Sequence, residues 1–321
     1  MPSLKEIKNR IASVNSTRKI TSAMKMVASS KLHHAQVMID NMLPYESMLE
    51  HILKTFLASE VDAQTIFSEE RAVKKVAIIV FSSNSSLCGG FNANIIKMFQ
   101  TAAKEYAHLG QENILVYPIG RKIAEKVNKL GYKSAGDYTV LCDHPNAQKC
   151  LELAQEIATL FRAGEVDKVE LIYHHFMSAG SQILTRRQFL PIDIQNVDFT
   201  EEKGRDLTTT IATRESQEYM RLNHQEKVIE DVKARPLNSN YIVEPDIVSV
   251  LSKLIPQYLN LKVYTALLDS NASEHAARMV AMQTATDNAD ELLRQLNLQY
   301  NKSRQQAITN ELLDLAGGSQ N

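Results

Sequence analysis

Residues Ser273–Leu296 read SEHAARMVAMQTATDNADELLRQL. Met282, Ala285, Ala289, Leu292 and Leu296 step through this stretch by three and four, the spacing that lines up one face of an α-helix. Leu293, Tyr300, Ala307, Ile308, Leu312 and Leu315 carry the stripe onward. So narrow a stripe is the seam of a coiled coil rather than the broad face of a globular helix. Ala276, Ala277, Ala281, Ala285 and Ala289 are small enough for a second helix to approach closely. Each large apolar side chain buried in such a seam stabilises the pairing by about 1.5–3 kcal/mol.

Glycine and proline, the main helix breakers, are absent from Gln257 to Ala316 and again from Ser3 to Leu43. At 1.5 Å per residue the two runs reach roughly 85 Å and roughly 60 Å. A typical globular helix has only about 11–12 residues. The alternative, a pair of ordinary core helices, does not account for the excess length. In the first run Leu4, Ile7, Ile11 and Val14 keep the step, and Ile20, Met24 and Val27 resume it after a stutter. Pro44 is expected to kink or end this helix, with Met48, Leu49, Ile52, Leu53 and Phe56 continuing an apolar face beyond it. Asn271 with Glu274, or Ser273 itself, is a candidate cap for a fresh helical start within the second run. Gly317 and Gly318 supply its end.

Between the runs, strands and helices alternate. Val76–Phe81 is a continuous apolar run that reads as a buried strand, followed by Cys88-Gly89-Gly90 and a helix through Ile95, Met98 and Ala102. Further strands are expected over Ile114–Ile119, Val169–Phe176 and Ile183–Leu190, with helices over Ile123–Leu130 and Leu151–Phe161. This order argues for a largely parallel sheet in a Rossmann-like α/β domain. The organisation expected is therefore a helix over 1–60 kinked near Pro44, a central domain over 70–245 with a polar insert over 193–240, and a second helix over 246–321.

Several function classes lose support. The net charge of -1 over 321 residues offers no global field for nucleic acid or membrane. No apolar run approaches the roughly 18 residues of a spanning helix. Cys88, Cys142 and Cys150 have no metal-ligand spacing and read as reduced thiols. The turn after Phe81 contains neither G-x-G-x-x-G nor G-x-x-x-x-G-K-[ST], so the backbone cradle for phosphates is missing. His174 and His175 are adjacent on a strand and face opposite sides, while His33 and His34 read as solvated. No catalytic, cofactor or metal site is expected, although a nucleotide-dependent α/β enzyme and a free coiled-coil tether are the rival classes.

Charge on the first helix is lopsided. Lys8, Arg10, Arg18, Lys19, Lys25 and Lys31 fall between Glu6 and Asp40 with no acid among them. Such a face suits an organelle transit peptide, an anionic membrane surface or acidic loops of a protein partner. The absence of a cleavage-like boundary disfavours the first, and charge alone does not choose between the other two.

Specific motifs then narrow the field. The stretch Ile11–Val14 through Lys19-Ile20-Thr21-Ser22-Ala23-Met24-Lys25-Met26-Val27-Ala28 resembles the N-terminal helix of the gamma subunit of F-type ATP synthases. Ser273–Met279, Ala281-Met282, Tyr300–Gln305, Ile308-Thr309 and Glu311-Leu312 resemble the same family's C-terminal helix. Leu87–Asn92 is similar to the family's turn after the first central strand, and Tyr241 with Glu244-Pro245 to its lead-in to the last helix. The resemblance spans the chain and is weakest from about Cys142 to Asn240.

It implies a non-catalytic part: terminal helices wound into an antiparallel coiled coil, the asymmetric shaft inside a hexamer of alternating alpha and beta subunits. The α/β domain then sits at the base, against the epsilon subunit and the membrane ring of c subunits, and proton flow turns ring and shaft. By position, Met24 and Lys25 pass the loops of the catalytic subunits, while Arg304, Gln305, Thr309 and Glu311 contact those subunits near the upper shaft. Tyr241 and Glu244 belong to the base and its lead-in. The basic face becomes a partner for acidic beta-subunit loops. Lack of a clear presequence favours a peripheral protein on the cytoplasmic face of a bacterial inner membrane. Two departures stand out: Asn84, Ser85 and Ser86 replace the family's usual Asp-Arg-Gly, and the 193–240 stretch is long. The insert has no cysteine, so no thiol switch is expected there.

Overall fold

The computed structural model describes residues 3–59, 66–192, 243, 244 and 246–318. The first long helix, α1, is Leu4–Ser59. Pro44 lies inside it rather than ending it, so the missing amide is absorbed by a helix that continues for a further 15 residues. The last helix, α6, is Ile247–Gly318. Its continuity removes the capping role expected of Asn271, Ser273 and Glu274. All three are interior helical residues with buried side chains. The 193–240 insert, Tyr241 and Pro245 lie outside the described residues.

Two compact units emerge, and the division falls inside both long helices. One contains residues 1–29 and 278–321; the other contains residues 30–277. The second half of α1 and the first part of α6 therefore belong with the sheet, not with a separate helical body.

In the larger unit the strands are β1 (Val76–Phe81), β2 (Ile114–Ile119), β3 (Lys133–Ser134), β4 (Lys168–Ser178) and β5 (Ser181–Leu190). Their spatial order is β3-β2-β1-β4-β5. β1 pairs in parallel with β2 and β4, Val76 lying opposite Ile114 on one side and Lys168 on the other. Only β5 runs antiparallel, as the return arm of a hairpin from β4. The crossover helices are α2 (Phe91–Glu105), α3 (Arg121–Leu130) and α5 (Ala147–Arg162), with the short α4 (Thr139–Asp143) before the last. β1 is buried along its whole length because helices and neighbouring strands enclose it on every side.

One core packs Val76, Ile78, Val80, Val116 and Ile172 from the sheet against Ile95 and Phe99 of α2 and Ile123 and Val127 of α3. Entry into β1 is fixed by Asp167, whose carboxylate accepts from the amides of Lys74 at 2.8 Å and Lys75 at 3.0 Å. Asn146 caps α5 by accepting from the Lys149 amide. On β4 the adjacent histidines face different helices, as alternation demands. His174 stacks on Phe91 of α2 at 4.4 Å between ring centroids, and His175 Nδ1 lies 2.9 Å from Asp269 of α6. The Ser273 hydroxyl donates to the His174 carbonyl, which ties the buried polar stretch of α6 to the sheet.

Candidate functional site

The smaller unit consists of the first part of α1 and the last part of α6. On α1, enclosed positions run through Leu4, Ile7, Ile11, Val14, Arg18, Thr21, Lys25 and Ala28. On α6 they run through Met282, Thr286, Ala289, Leu293, Leu296, Tyr300, Ser303 and Ala307. Both series step by three and four without interruption, the 3.5-residue repeat of paired helices. The expected stutter is therefore absent: Ile20, 60% exposed, and Val27, 58% exposed, lie on the outside. Arg18, Thr21 and Lys25 occupy the seam instead, because each finds a polar partner on the opposite helix.

Arg18 Nη1 donates to Asp290 Oδ1 at 2.9 Å. The hydroxyls of Thr21 and Thr286 are 2.8 Å apart. Lys25 Nζ donates to Gln283 Oε1, and the Gln283 amide nitrogen is itself held by Asp287 at 2.7 Å. As the number rises on α1 it falls on α6, so the two stretches run antiparallel at these points. Sequence reasoning missed this polar set because it counted apolar residues alone. Continuing the heptad from Val14 through 18, 21 and 25 was the signal that finds it.

The expected contact residues divide into two zones. Met24 is half-buried at the edge of the seam, and Lys25 is engaged within it. Arg304, Gln305 and Thr309 are exposed on α6. The Thr309 hydroxyl donates back to the Gln305 carbonyl at 2.9 Å. Since Lys25 lies opposite Gln283, the two zones are about 30 Å apart along the helix. The structure does not bring them together. Nothing is described of the Glu311 side chain; Glu244 is exposed. Ile308 and Leu312, expected to extend the seam, are instead 48% and 61% exposed. The register explains why: α1 starts at Leu4, so α6 has outrun its partner there.

The larger unit has the strand order in which α/β proteins commonly hold phosphates, beyond the carboxyl ends of the strands and at helix N-termini. Here that corner is filled by the chain itself. The first amides of α3 are satisfied by the turn after β1: Arg121 donates to Asn84 Oδ1, Lys122 to the Ser83 carbonyl and Ile123 to Ser82 Oγ. Gly120, at φ +105, lets the strands' ends close up, since a Cβ there would lie 2.4 Å from the Ser82 carbonyl oxygen. At the start of α2, Asn92 turns inward and bonds to Ser83. Asn84 also donates to the Thr139 carbonyl and to Asp143 Oδ2, both at 2.7 Å. The neutral Asn84-Ser85-Ser86 variation is thus a structural joint.

The three cysteines are free and buried. Burial pushes the Cys150 thiol up to about 12, and burial with the nearby Glu274 and Asp143 carboxylates holds Cys142 well above the ordinary thiol value. Neither is a nucleophile at neutral pH. Among the described residues there is no group of three metal-ligating side chains, and no helix long and apolar enough to cross a membrane.

A family model described as ATP synthase matches residues 3–321. The ATP synthase gamma chain of Phocaeicola vulgatus is 52% identical over 319 residues, covering 99% of both chains. The chain belongs to the ATP synthase gamma chain family. Gamma chains of Bacteroides thetaiotaomicron and Cytophaga hutchinsonii are 50% and 39% identical, each with at least 99% of this chain covered. Among solved structures, a chain of the central stalk and c-ring of the Tetrahymena thermophila mitochondrial ATP synthase has a TM-score of 0.51 at 23% identity, covering 83% of this chain and 99% of that one. One from the Euglena gracilis mitochondrial ATP synthase reaches a TM-score of 0.58 at 16% identity, covering 98% and 93%. At those identities the likeness is one of fold, and the gamma-chain fold accounts for both long helices and the five-stranded sheet.

Proposed function

We propose that this chain is the central rotor shaft of an F-type ATP synthase, with no active site of its own. The observation that carries the reading is the end-to-end match to ATP synthase gamma chains, 52% identical over 99% of the length. Its terminal helices wind into an antiparallel coiled coil that enters the hexamer of alpha and beta subunits. Its sheet-containing unit forms the base, against the epsilon subunit and the c ring, on the cytoplasmic face of a bacterial inner membrane. The 1–60 and 246–321 helices make up the shaft, and 70–245 the base with its 193–240 insert.

Physically the shaft acts by population shift. Three chemically identical catalytic sites differ only in the face of the rod presented to each, and a contact stronger in one conformation than another moves that site's equilibrium. The outer face of this pair is suitably uneven. Ile20, Met26 and Val27 are exposed on α1, whereas Arg304 and Gln305 are exposed on α6. The unpaired end, with Ile308, Leu312 and Leu313 exposed, needs an apolar surround that a hexamer supplies and water does not. Met24 and Lys25 form the lower contact zone; Arg304, Gln305, Thr309 and Glu311 form the upper one. Tyr241 and Glu244 lead from the base into α6.

Co-expression with matching alpha and beta subunits tests the assignment. One copy per hexamer, with ATP hydrolysis dependent on the chain, is the expected result. A hexamer that excludes the chain overturns it and leaves a free helical tether as the surviving account.

A further inference from the structure

We infer that Thr21 and Thr286, flanked by the Arg18–Asp290 and Lys25–Gln283 pairs, are positioning residues that lock the axial register of the shaft. The inference rests on the shaft reading for its functional consequence, but its structural content stands on the paired stretch alone.

An antiparallel pair of helices with an apolar heptad seam has several near-equivalent registers, one heptad apart. Apart from the polar segment and Tyr300 and Ser303, the seam here is made of Leu4, Ile7, Ile11, Val14 and Ala28 facing Met282, Ala289, Leu293, Leu296 and Ala307. These are interchangeable aliphatic or small residues, so within this stretch they penalise sliding weakly. Polar seam residues behave differently, since a misplaced one gives up its hydrogen bond to the opposite helix and an apolar neighbour does not replace it. The Lys262–Glu46 and Lys262–Glu50 pairs farther along the same two helices act in the same sense as the threonines. Thr21 is 9% exposed and its hydroxyl meets the Thr286 hydroxyl at 2.8 Å. One hydroxyl donates across the seam, and the other donates to a carbonyl of its own helix, Arg18 at 3.0 Å or Met282 at 2.8 Å, so both protons are used in this register.

A slide of one heptad is about 10 Å. In one direction it carries Thr21 from Thr286 to the Leu293 level and Arg18 to Asn297. In the other it carries Thr21 to Met279 and Lys25 to Ala276. Either way the hydroxyl faces an apolar side chain and the Arg18–Asp290 pair is broken. The Arg18–Asp290 pair is itself solvent-accessible, with side chains 39% and 53% exposed, so the enclosed threonines are the stronger discriminator. Register matters to a rotor because a slide moves Met24 relative to Arg304 and Gln305. The two contact zones then no longer meet their stator levels together.

The test uses the full chain, alone and assembled with its partner subunits, with spin labels at the exposed positions Ser13 and Asn297. The native chain is expected to give one narrow distance. The isosteric double variant Thr21→Val/Thr286→Val is expected to shift the register equilibrium about tenfold, the worth of one net hydrogen bond, and to show a second distance population. ATP-driven proton pumping per ATP hydrolysed should fall in that variant. Thr21→Ser/Thr286→Ser keeps both hydroxyls and should keep the single distance and native coupling. A single unchanged distance in the valine variant overturns the register lock, whatever pumping does. Failure of the native chain to join the hexamer overturns the shaft reading instead, while the distances measured on the chain alone still decide the register.

Discussion

Lys262 Nζ lies 2.7 Å from Glu50 Oε2, and the same ammonium lies 2.9 Å from Glu46 Oε1. One cation on α6 thus joins two carboxylates one turn apart on the second half of α1. Lys262 also lies over the Tyr258 ring at 5.5 Å. Although burial opposes its charge, Glu46, Tyr258 and Glu50 together hold its pKa well above the ordinary lysine value. Lys262→Met leaves two enclosed carboxylates facing each other and is expected to cost about 3 kcal/mol, read from the urea midpoint of the isolated chain. The sign of the pH dependence follows from the raised pKa. The contribution is complete below the ordinary lysine range and is lost as pH rises through the elevated value. Between pH 7 and 9 the stability lost in Lys262→Met should therefore stay constant. A loss that shrinks across that window counts against the network.

His174 titrates in the opposite sense. Burial lowers its pKa to about 4, and its Nδ1 has no hydrogen-bond partner among the described residues. The unfolded chain takes up a proton near the ordinary value of about 6.5, so folded stability falls between there and pH 4. The expected loss by pH 5 is about 2 kcal/mol. Replacing the ring with His174→Phe, which preserves stacking on Phe91, should flatten this slope whatever it does to stability at neutral pH. Denaturant midpoints at pH 7.5 and 5 for both proteins decide the matter.

Asn84 joins three elements through one amide. Asn84→Asp keeps an acceptor for the Arg121 amide but loses both donations and sets a carboxylate beside Asp143. The favourable placement of charge at the start of α3 offsets only part of this, leaving a net cost of about 1–2 kcal/mol. Adding Asp143→Asn restores a donor between the two side chains and should recover part of the loss. Additive losses in a double-mutant cycle refute the joint.

The two proposed contact zones predict coupling defects without unfolding. Arg304→Ala and Gln305→Ala remove exposed side chains, so thermal stability should change by less than about 0.5 kcal/mol. Hydrolysis by the assembled complex should drop several-fold. Met24→Lys adds a cation to an already basic face and is expected to leave hydrolysis largely intact while lowering ATP-driven pumping. Native pumping in that variant removes Met24 from the contact zone.

The fold was legible wherever backbone demands dominate. Long stretches without glycine or proline gave both terminal helices, and the run Val76–Phe81 gave the central strand. β3 was not legible, because two exposed residues carry no hydrophobic signal. The unit boundary inside α1 and α6 was equally hidden, since neither helix changes its local propensity where its surroundings change. At the candidate site, the family resemblance singled out Arg304, Gln305 and Thr309 as contacts, and the structure shows them exposed on α6. The seam itself was misread at Ile20 and Val27, because whether Arg18, Thr21 and Lys25 can be enclosed depends on Asp290, Thr286 and Gln283, more than 250 residues away in sequence.

The turn 82–84 that occupies the N-terminus of α3 has a consequence for work inside a nucleotide-processing machine. An adenine nucleotide seeking that corner has to displace an asparagine, a serine hydroxyl and a backbone carbonyl that are tethered to the amides it needs. The tethered groups act at a very high local concentration, which free ATP does not match. That corner of the sheet-containing unit is thereby closed to free adenine nucleotide.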